Sequence, residues 1–311
     1  MIYTFTANLA IDLFIETEKL LPNKVNRTNY FKCSANGKGV NVSIILENLG
    51  ISSTVTGFKG GFTGQHIEDD LKKRNIKIFM PEIQGLTRIN VFTNVLDEKK
   101  EYTQVNPGPI IEEEAKEFLK AYFEKKFQKN DILTINGSFP KGIDENYIFE
   151  ICKIAKDRNV EIVIDNSSKF VINLCKFEPF ILKPNEFELC SWFDENVKDE
   201  KQFIRLSKKL IKMGTKNILL SLGENGAMLI NENLILKCSA PEGKIVNTAM
   251  AGDTLLATYI AEIYLGKDEE YALKKAVCAG SSTAFRDGLT DFSDVKDLMK
   301  QVKVEKIWEE I

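Results

Sequence analysis

Residues 246–257 read V-N-T-A-M-A-G-D-T-L-L-A. A small-residue opening reaches Ala251-Gly252-Asp253, and an apolar run with helical promise then continues through Tyr259, Ile260 and Ile263. Where a loop feeds a helix, the first backbone amides have no intrahelical acceptor and the dipole is positive, so an anion can sit against them. Asp253 places a carboxylate beside that anion. Such a neighbour is electrostatically costly unless it has a task, such as taking a proton from a hydroxyl that attacks a phosphoryl group. The plainer reading is a helix cap, a position that aspartate favours.

Other clusters fit the same chemistry. Ala35-Asn36-Gly37-Lys38-Gly39-Val40-Asn41 runs straight into the helical pattern Val42, Ile45, Leu46, Leu49. A glycine-bracketed lysine at a helix start gathers amides and an ammonium, as a phosphate or sugar site requires; a flexible turn is the simpler account. Asp12 follows an opening strand at residues 2–6, on the sheet edge where ligands collect in open parallel sheets, or is an ordinary turn aspartate. In Lys183-Pro184-Asn185-Glu186-Phe187-Glu188, Asn185 and Glu188 share a helix face and offer two oxygens to a hydrated hard cation. Capping and surface charge explain such pairs more often. Residues 87–93, T-R-I-N-V-F-T, alternate so that Arg88, Asn90 and Phe92 share one face; an edge-strand charge against aggregation is the ordinary reading of that arginine. Asp165-Asn166-Ser167 follows a strand and is either a helix cap or part of a nucleotide pocket.

Composition narrows the options. The 311 residues carry 42 Lys plus Arg against 45 Asp plus Glu, a formal charge of -3. No sequence-wide field recruits nucleic acid or an anionic membrane, and a small-molecule partner is expected. Six cysteines show neither C-x-x-C nor zinc spacing, which fits a reducing, cytoplasmic setting. No signal-peptide pattern or membrane span is read. His66 is the single histidine, so a histidine triad would have to use it, two-histidine metal sites are excluded, and a general base is expected to be a carboxylate. The P-loop pattern G-x-x-x-x-G-K-[ST] is absent.

The elements that must hold these residues follow a regular rhythm. Helical patterns over 111–127, 144–156 and 200–213 alternate with strand patterns over 132–135, 160–164, 180–182 and 217–222, and helices over 270–285 and 294–302 close the chain. Such alternation predicts right-handed crossovers and a parallel, doubly wound sheet. Short strands at 14–18, 30–34, 87–93 and 101–105 fall outside that rhythm and suggest a β flap over the main sheet. No internal repeat or interdomain linker is seen, so residues 1–311 are expected to form one α/β domain with a discontinuous β lid from about 13–34 and 87–106.

Blocks of these kinds occur in the order and spacing of the ribokinase-like PfkB sugar kinases, which the chain resembles over nearly its whole length. A-G-D matches the catalytic loop G-A-G-D, G-K-G-x-N the family's G-G-K-G-x-N, Asn8 and Asp12 its L-N-P-x-x-D, and T-R-I-N its phosphate-gripping flap. Val25-Asn26-Arg27 resembles the V-N-R of kinases of phosphorylated sugars, Gly137-Ser138 the sugar-contacting loop, K-P-N-x-x-E the magnesium motif, and S-L-G-x-x-G-A the nucleotide loop. The resemblance implies a ribokinase-like α/β fold, a mostly parallel sheet and a small β lid. It also implies Mg-ATP along Lys183, Ser221, Gly223 and Gly226, with Gly280 beside adenine and Mg2+ on Asn185 and Glu188. The sugar phosphate is expected on Asp12, Gly37, Lys38, Asn41, Gly137, Ser138 and Arg88, with Arg27, Lys38 and Arg88 converging on its phosphate. Asp253 is then the base, with the amides of Ala251, Gly252 and Asp253 around the transferring group.

Within the family the likeness is greatest to kinases of ketohexose phosphates, 1-phosphofructokinase and tagatose-6-phosphate kinase, and fructose 1-phosphate is the expected acceptor. A homodimer through the lid is implied. Three departures stand out. Met250 replaces the first glycine of G-A-G-D and is expected to take ordinary β or α dihedrals. Asn36 replaces a glycine, and asparagine tolerates left-handed backbone better than most side chains. Leu9 replaces a proline. A sugar-phosphate or nucleotide binding protein with impaired catalysis is the other class these departures leave open.

Overall fold

The computed structural model describes residues 1–196 and 199–307. Its strands are β1 (Ile2–Thr6), β2 (Ala10–Thr17), β3 (Tyr30–Asn36), β4 (Ser53–Gly57), β5 (Lys59–Gly60), β6 (Lys77–Phe79), β7 (Glu82–Ile83) and β8 (Arg88–Val95). They continue with β9 (Lys100–Gln104), β10 (Ile132–Asn136), β11 (Glu161–Asp165), β12 (Ile181–Leu182), β13 (Asn217–Ser221), β14 (Ala227–Ile230), β15 (Ile235–Cys238) and β16 (Val304–Lys306). The helices are α1 (Lys38–Asn48), α2 (Gly61–Lys73), α3 (Glu113–Lys126), α4 (Glu145–Asp157), α5 (Glu186–Trp192), α6 (Glu200–Lys212), α7 (Ala251–Tyr264), α8 (Glu269–Ala284) and α9 (Val295–Gln301).

A ten-stranded sheet in the order β16-β15-β14-β13-β12-β11-β10-β1-β4-β6 forms the body. From β13 to β6 the pairings are parallel, and from β13 to β16 they are antiparallel. Parallel strands buried on both faces read as continuous apolar runs, and β1 and β10 are buried at every position. Their residues divide by pleat. Ile162 and Ile164 join the core with Phe123, Ile151 and Leu210, whereas Val163 joins the opposite core with Leu46, Leu256 and Ala276. The expected doubly wound architecture is therefore what forms.

The small sheet has the order β3-β2-β8-β9. Its central pair β2–β8 is parallel, which sets Asp12 opposite Asn90 and Ala10 opposite Arg88. This corrects the expected place of Asp12. It lies inside β2, paired on its other side with Ser34, and so belongs to the lid sheet rather than to a turn after β1. A third, two-stranded sheet joins β5 and β7. Helix α7, which carries Asp253, packs between α8 and α1 and is buried from Asp253 to Glu262. A helix apolar nearly all round has to be central, and its one buried acid far from the site, Glu262, pairs with Lys275 at 2.6 Å. Among the described residues, no helix is long and apolar enough to cross a membrane.

Candidate active site

Asp253 is the third residue of α7 and not its cap. Met250 occupies the N-cap position without a side-chain capping bond. Its dihedrals, φ 65° and ψ −7°, are left-handed, which overturns the expectation of an ordinary conformation there. A non-glycine residue in this region costs roughly 1–2 kcal/mol, in a shape that glycine would take without strain, and the Met250 carbonyl accepts from the Thr254 amide at 2.9 Å. The turn still presents amides. That of Ala251 is engaged by the carbonyl of Thr248 at 3.3 Å, while among the described residues those of Gly252 and Asp253 have no backbone acceptor.

Around Asp253 the body sheet delivers charge from several strand ends. The Asp253 carboxylate is buried and accepts a hydrogen bond from Asn41 Nδ2 at 2.8 Å. Asp165, at the end of β11, is fully buried and accepts from Lys38 Nζ at 2.8 Å and pairs with Lys183 Nζ at 3.3 Å, both on Oδ1. Its Oδ2 has no partner among the described residues. Burial opposes ionisation of Asp165, but the two ammonium groups outweigh it and hold its carboxyl below the usual range. Asp253 experiences the opposite balance. Burial and the charge of Asp165 push it up to about 6, against Lys38, Asn41 and Lys183. A carboxylate poised near neutrality suits a general base.

Lys183 is almost wholly buried, and a Cβ built on Gly252 would lie 3.4 Å from its Nζ. It therefore stands over the anion turn. Lys38 joins it there rather than meeting Arg27 and Arg88, and the expected three-cation cluster does not form. Burial lowers the Lys38 pKa, but Asp165, then Asp253 and Glu188, raise it further. Arg27 is exposed between β2 and β3, and its carbonyl accepts from Thr17. Arg88 alone reaches inward, donating to the carbonyls of Asn106 and Asn8 at 3.2 Å each, while its buried Nε has no partner among the described residues.

Between these ends lies a set of amides. Asp12 accepts from Asn90 Nδ2 at 2.9 Å and from Asn36 Nδ2. Burial raises its pKa against those two donors and Arg88. Asn36 Oδ1 in turn accepts from Asn41 Nδ2 at 2.9 Å, so Asp12, Asn36, Asn41 and Asp253 form one continuous chain. Asn36 sits in extended strand β3 and not in a left-handed turn; its side chain, not its backbone tolerance, is what the protein uses. Gly37 does need its freedom, with φ 146° and Thr6 and Leu9 at 3.1 and 3.3 Å from where a Cβ would be. Gly137 and Ser138 close the site beside β10, with Ser138 Oγ accepting from Asn8 Nδ2 at 3.2 Å.

The residues expected on the nucleotide side are partly placed together. Ser221 bridges to Asn185, Gly223 and Gly226 take φ 55° and 91°, and a Cβ on Gly226 would meet the Cys238 carbonyl at 1.9 Å. Asn185 caps α5 in a capping box, each of Asn185 and Glu188 accepting the other's backbone amide at 2.8 and 2.9 Å. Gly280 is buried against α7, where a Cβ would lie 3.0 Å from the Ala251 carbonyl, so helix packing accounts for it. Sequence reasoning left Asp165 undecided and gave no role to Asn106. The signal for Asp165 was its place at a strand end; Asn106 is a loop residue with none.

Residues 5–296 match the pfkB family carbohydrate kinases. The chain belongs to this family. It is 38% identical to a D-tagatose-1-phosphate kinase of Bacillus licheniformis over 98% of this chain and 99% of that one. It is 32% identical to a 1-phosphofructokinase of Bacillus subtilis over 99% and 100% of the two chains. The crystal structure of phosphofructokinase-2 from Escherichia coli in complex with substrates and products superposes with a TM-score of 0.90, at 23% identity, over 96% of this chain and 98% of that one. In this pfkB kinase the fold family is thus the expected one, and the departures at Met250 and Asn36 are absorbed locally, by a strained turn and by an added amide.

Proposed function

We propose that this sugar-phosphate kinase transfers the γ-phosphate of ATP to the 6-hydroxyl of a ketohexose 1-phosphate, with fructose 1-phosphate giving fructose 1,6-bisphosphate. The observation that carries the reading is the order of contacts across the site. Arg88 and its carbonyl anchors stand at one end, the hydroxyl-accepting carboxylate Asp12 in the middle, and Asp253 with its free amides at the other. That order fits a substrate with a phosphate at one end and a primary hydroxyl at the other. The two relatives at 38% and 32% identity both carry names of ketohexose 1-phosphate kinases, which supports the 1-phosphate over tagatose 6-phosphate.

In the reaction, the acceptor oxygen forms a bond to the γ-phosphorus as the bond from that phosphorus to the β,γ-bridging oxygen breaks. Asp253 takes the hydroxyl proton. The amides of Gly252 and Asp253 and the Lys183 ammonium face the charge that spreads over the transferring oxygens. Magnesium, when bound, would neutralise nucleotide phosphate charge. Asn185 and Glu188 suit it, since each oxygen used in the capping box retains acceptor capacity. Among the described residues no cluster of three or more acids, histidines or cysteines could cage a metal, so the ion would keep waters and phosphate ligands, as magnesium commonly does. A protein that only senses sugar phosphates has no use for a buried base at an anion turn, and we set that reading aside.

Tagatose 1-phosphate is a second acceptor worth equal attention, because the 38% relative is named for it. The two ketohexoses differ at ring hydroxyls, where an unpaired buried polar group costs about 1–3 kcal/mol, or roughly five- to a hundredfold in preference. Specificity constants measured side by side for fructose 1-phosphate, tagatose 1-phosphate, tagatose 6-phosphate, fructose 6-phosphate and free fructose test the proposal. Preference for either 1-phosphate is the expected result, and preference for any of the last three overturns it. The exposed Tyr30, Phe31 and Tyr102 of the small sheet also fit burial against the lid of a second copy, so Phe31→Glu should shift a dimer toward monomer in sedimentation; a wild-type monomer would contradict this.

A further inference from the structure

Asn36 stands where the family pattern has glycine, and its side chain makes contacts that glycine lacks. Oδ1 accepts from the Gly37 amide at 2.6 Å and from Asn41 Nδ2 at 2.9 Å, and Nδ2 donates to Asp12 Oδ2. This orientation is fixed by chemistry. A backbone N–H can only donate and a carboxylate can only accept, so the Asn36 amide cannot flip between Gly37 and Asp12. Asn41 is fixed in consequence. Facing an acceptor at Asn36, it must present its NH2 group, and the second hydrogen of that group goes to Asp253 Oδ2 at 2.8 Å. Asn36 and Asn41 also line a cavity of about 380 Å³ under β3, together with Phe14, Lys32, Met250 and Asp287.

We propose that Asn36 is a positioning residue of this chain that ties the acceptor-binding carboxylate Asp12 to the base Asp253, by locking Asn41 as a donor toward the base. The inference rests on the kinase reading above for the roles of the two carboxylates. A donor-locked Asn41 bonds ionised Asp253 more strongly than the protonated acid, whose carbonyl oxygen is the weaker acceptor, so it keeps the base ready. Asp12, held by Asn36 on one oxygen and Asn90 on the other, meets a sugar hydroxyl with its remaining lone pairs already oriented. The other groups facing Asp253 are Lys38 from α1, Asp165 at the end of β11 and Lys183 just beyond β12, with Glu188 of α5 acting on Lys38. Among the described residues none of them hydrogen-bonds Asn36, whose side-chain partners are Asp12, Gly37 and Asn41, so their own pairings do not depend on it.

Asn36→Gly restores the family's residue, and Asn36→Ala is a second truncation should the glycine variant fold poorly. The carboxyl carbon of Asp253, followed by 13C NMR in the sugar-free enzyme and assigned by its loss in Asp253→Asn, reads the lock directly. In either truncation its titration should move upward by half a pH unit or more. With the preferred acceptor, KM for the sugar phosphate should rise several-fold while KM for ATP stays within twofold, and the acidic limb of kcat/KM should move with the carboxyl. A folded truncation whose Asp253 titrates as in the wild type overturns the proposal. If the wild type phosphorylates none of the five sugars, the functional reading fails on its own, and the carboxyl titration still decides the role of Asn36.

Discussion

The two ends of the site are built from different materials. On the lid side, Asp12 is surrounded by neutral amides from Asn36 and Asn90, with Arg88 held by carbonyls. On the body side, Asp165, Lys183 and Asp253 are buried and Lys38 is partly exposed, and together they oppose full charges. Amide donors discriminate hydroxyl geometry without carrying net charge, which suits the recognition of a sugar. Opposed charges in low dielectric interact strongly and can shift a base and face a charged phosphoryl group. On the proposed function, the lid is the part that would read the acceptor, and the start of α7 with Lys38, Asp165 and Lys183 the part that would conduct the transfer.

Breaking the body side should have the larger effect. Asp253→Asn should lower kcat by roughly 10²–10⁴, the usual worth of a positioned base, while ATP binding measured by calorimetry stays near the wild-type value. A loss below about tenfold with binding intact would remove Asp253 from the chemistry. On the lid side, Arg88→Ala should raise KM for the sugar phosphate by roughly ten- to a hundredfold, the loss of about 1.5–3 kcal/mol of charged hydrogen bonding, and leave KM for ATP unchanged. An equal rise in both constants would erase the division between the two ends. The smallest effect is expected at their junction. Met250→Gly relieves a left-handed methionine, so unfolding free energy should rise by about 1 kcal/mol and turnover should change little. A gain in turnover above about a hundredfold, some 2.7 kcal/mol of barrier, would instead show that the native turn aims its amides badly.

The body of the molecule was legible because its signals are local. The alternation of helical and strand patterns from residue 111 onward gave the parallel sheet, and the A-G-D turn placed a carboxylate at a helix start. What escaped depends on side-chain direction across long sequence separations. Lys38 was grouped with the other cations by its motif, yet its four-carbon stem carries the ammonium to Asp165, 127 positions away. Asp12 was placed on the ligand edge just beyond β1, and not within a lid strand, because the parallel pairing of β2 with β8 joins strands far apart in the chain. Met250 was expected to avoid a conformation that local sterics disfavour, yet it takes the left-handed N-cap position of α7. In Asn36 a substitution that looked tolerable for its backbone has a side-chain role that no propensity encodes.

The pH dependence of kcat/KM for the sugar phosphate, measured in wild type and Asp253→Asn, tests the assignment of the base most directly. Burial and Asp165 raise the Asp253 pKa to about 6, and kcat/KM reports essential groups of the free enzyme. The base works only when deprotonated, so wild-type kcat/KM should climb tenfold per pH unit below about 6 and level off above it, whereas the small residual activity of Asp253→Asn should lack that limb. If the variant retains the same acidic limb as the wild type, a different group accepts the proton and the account of this site is wrong.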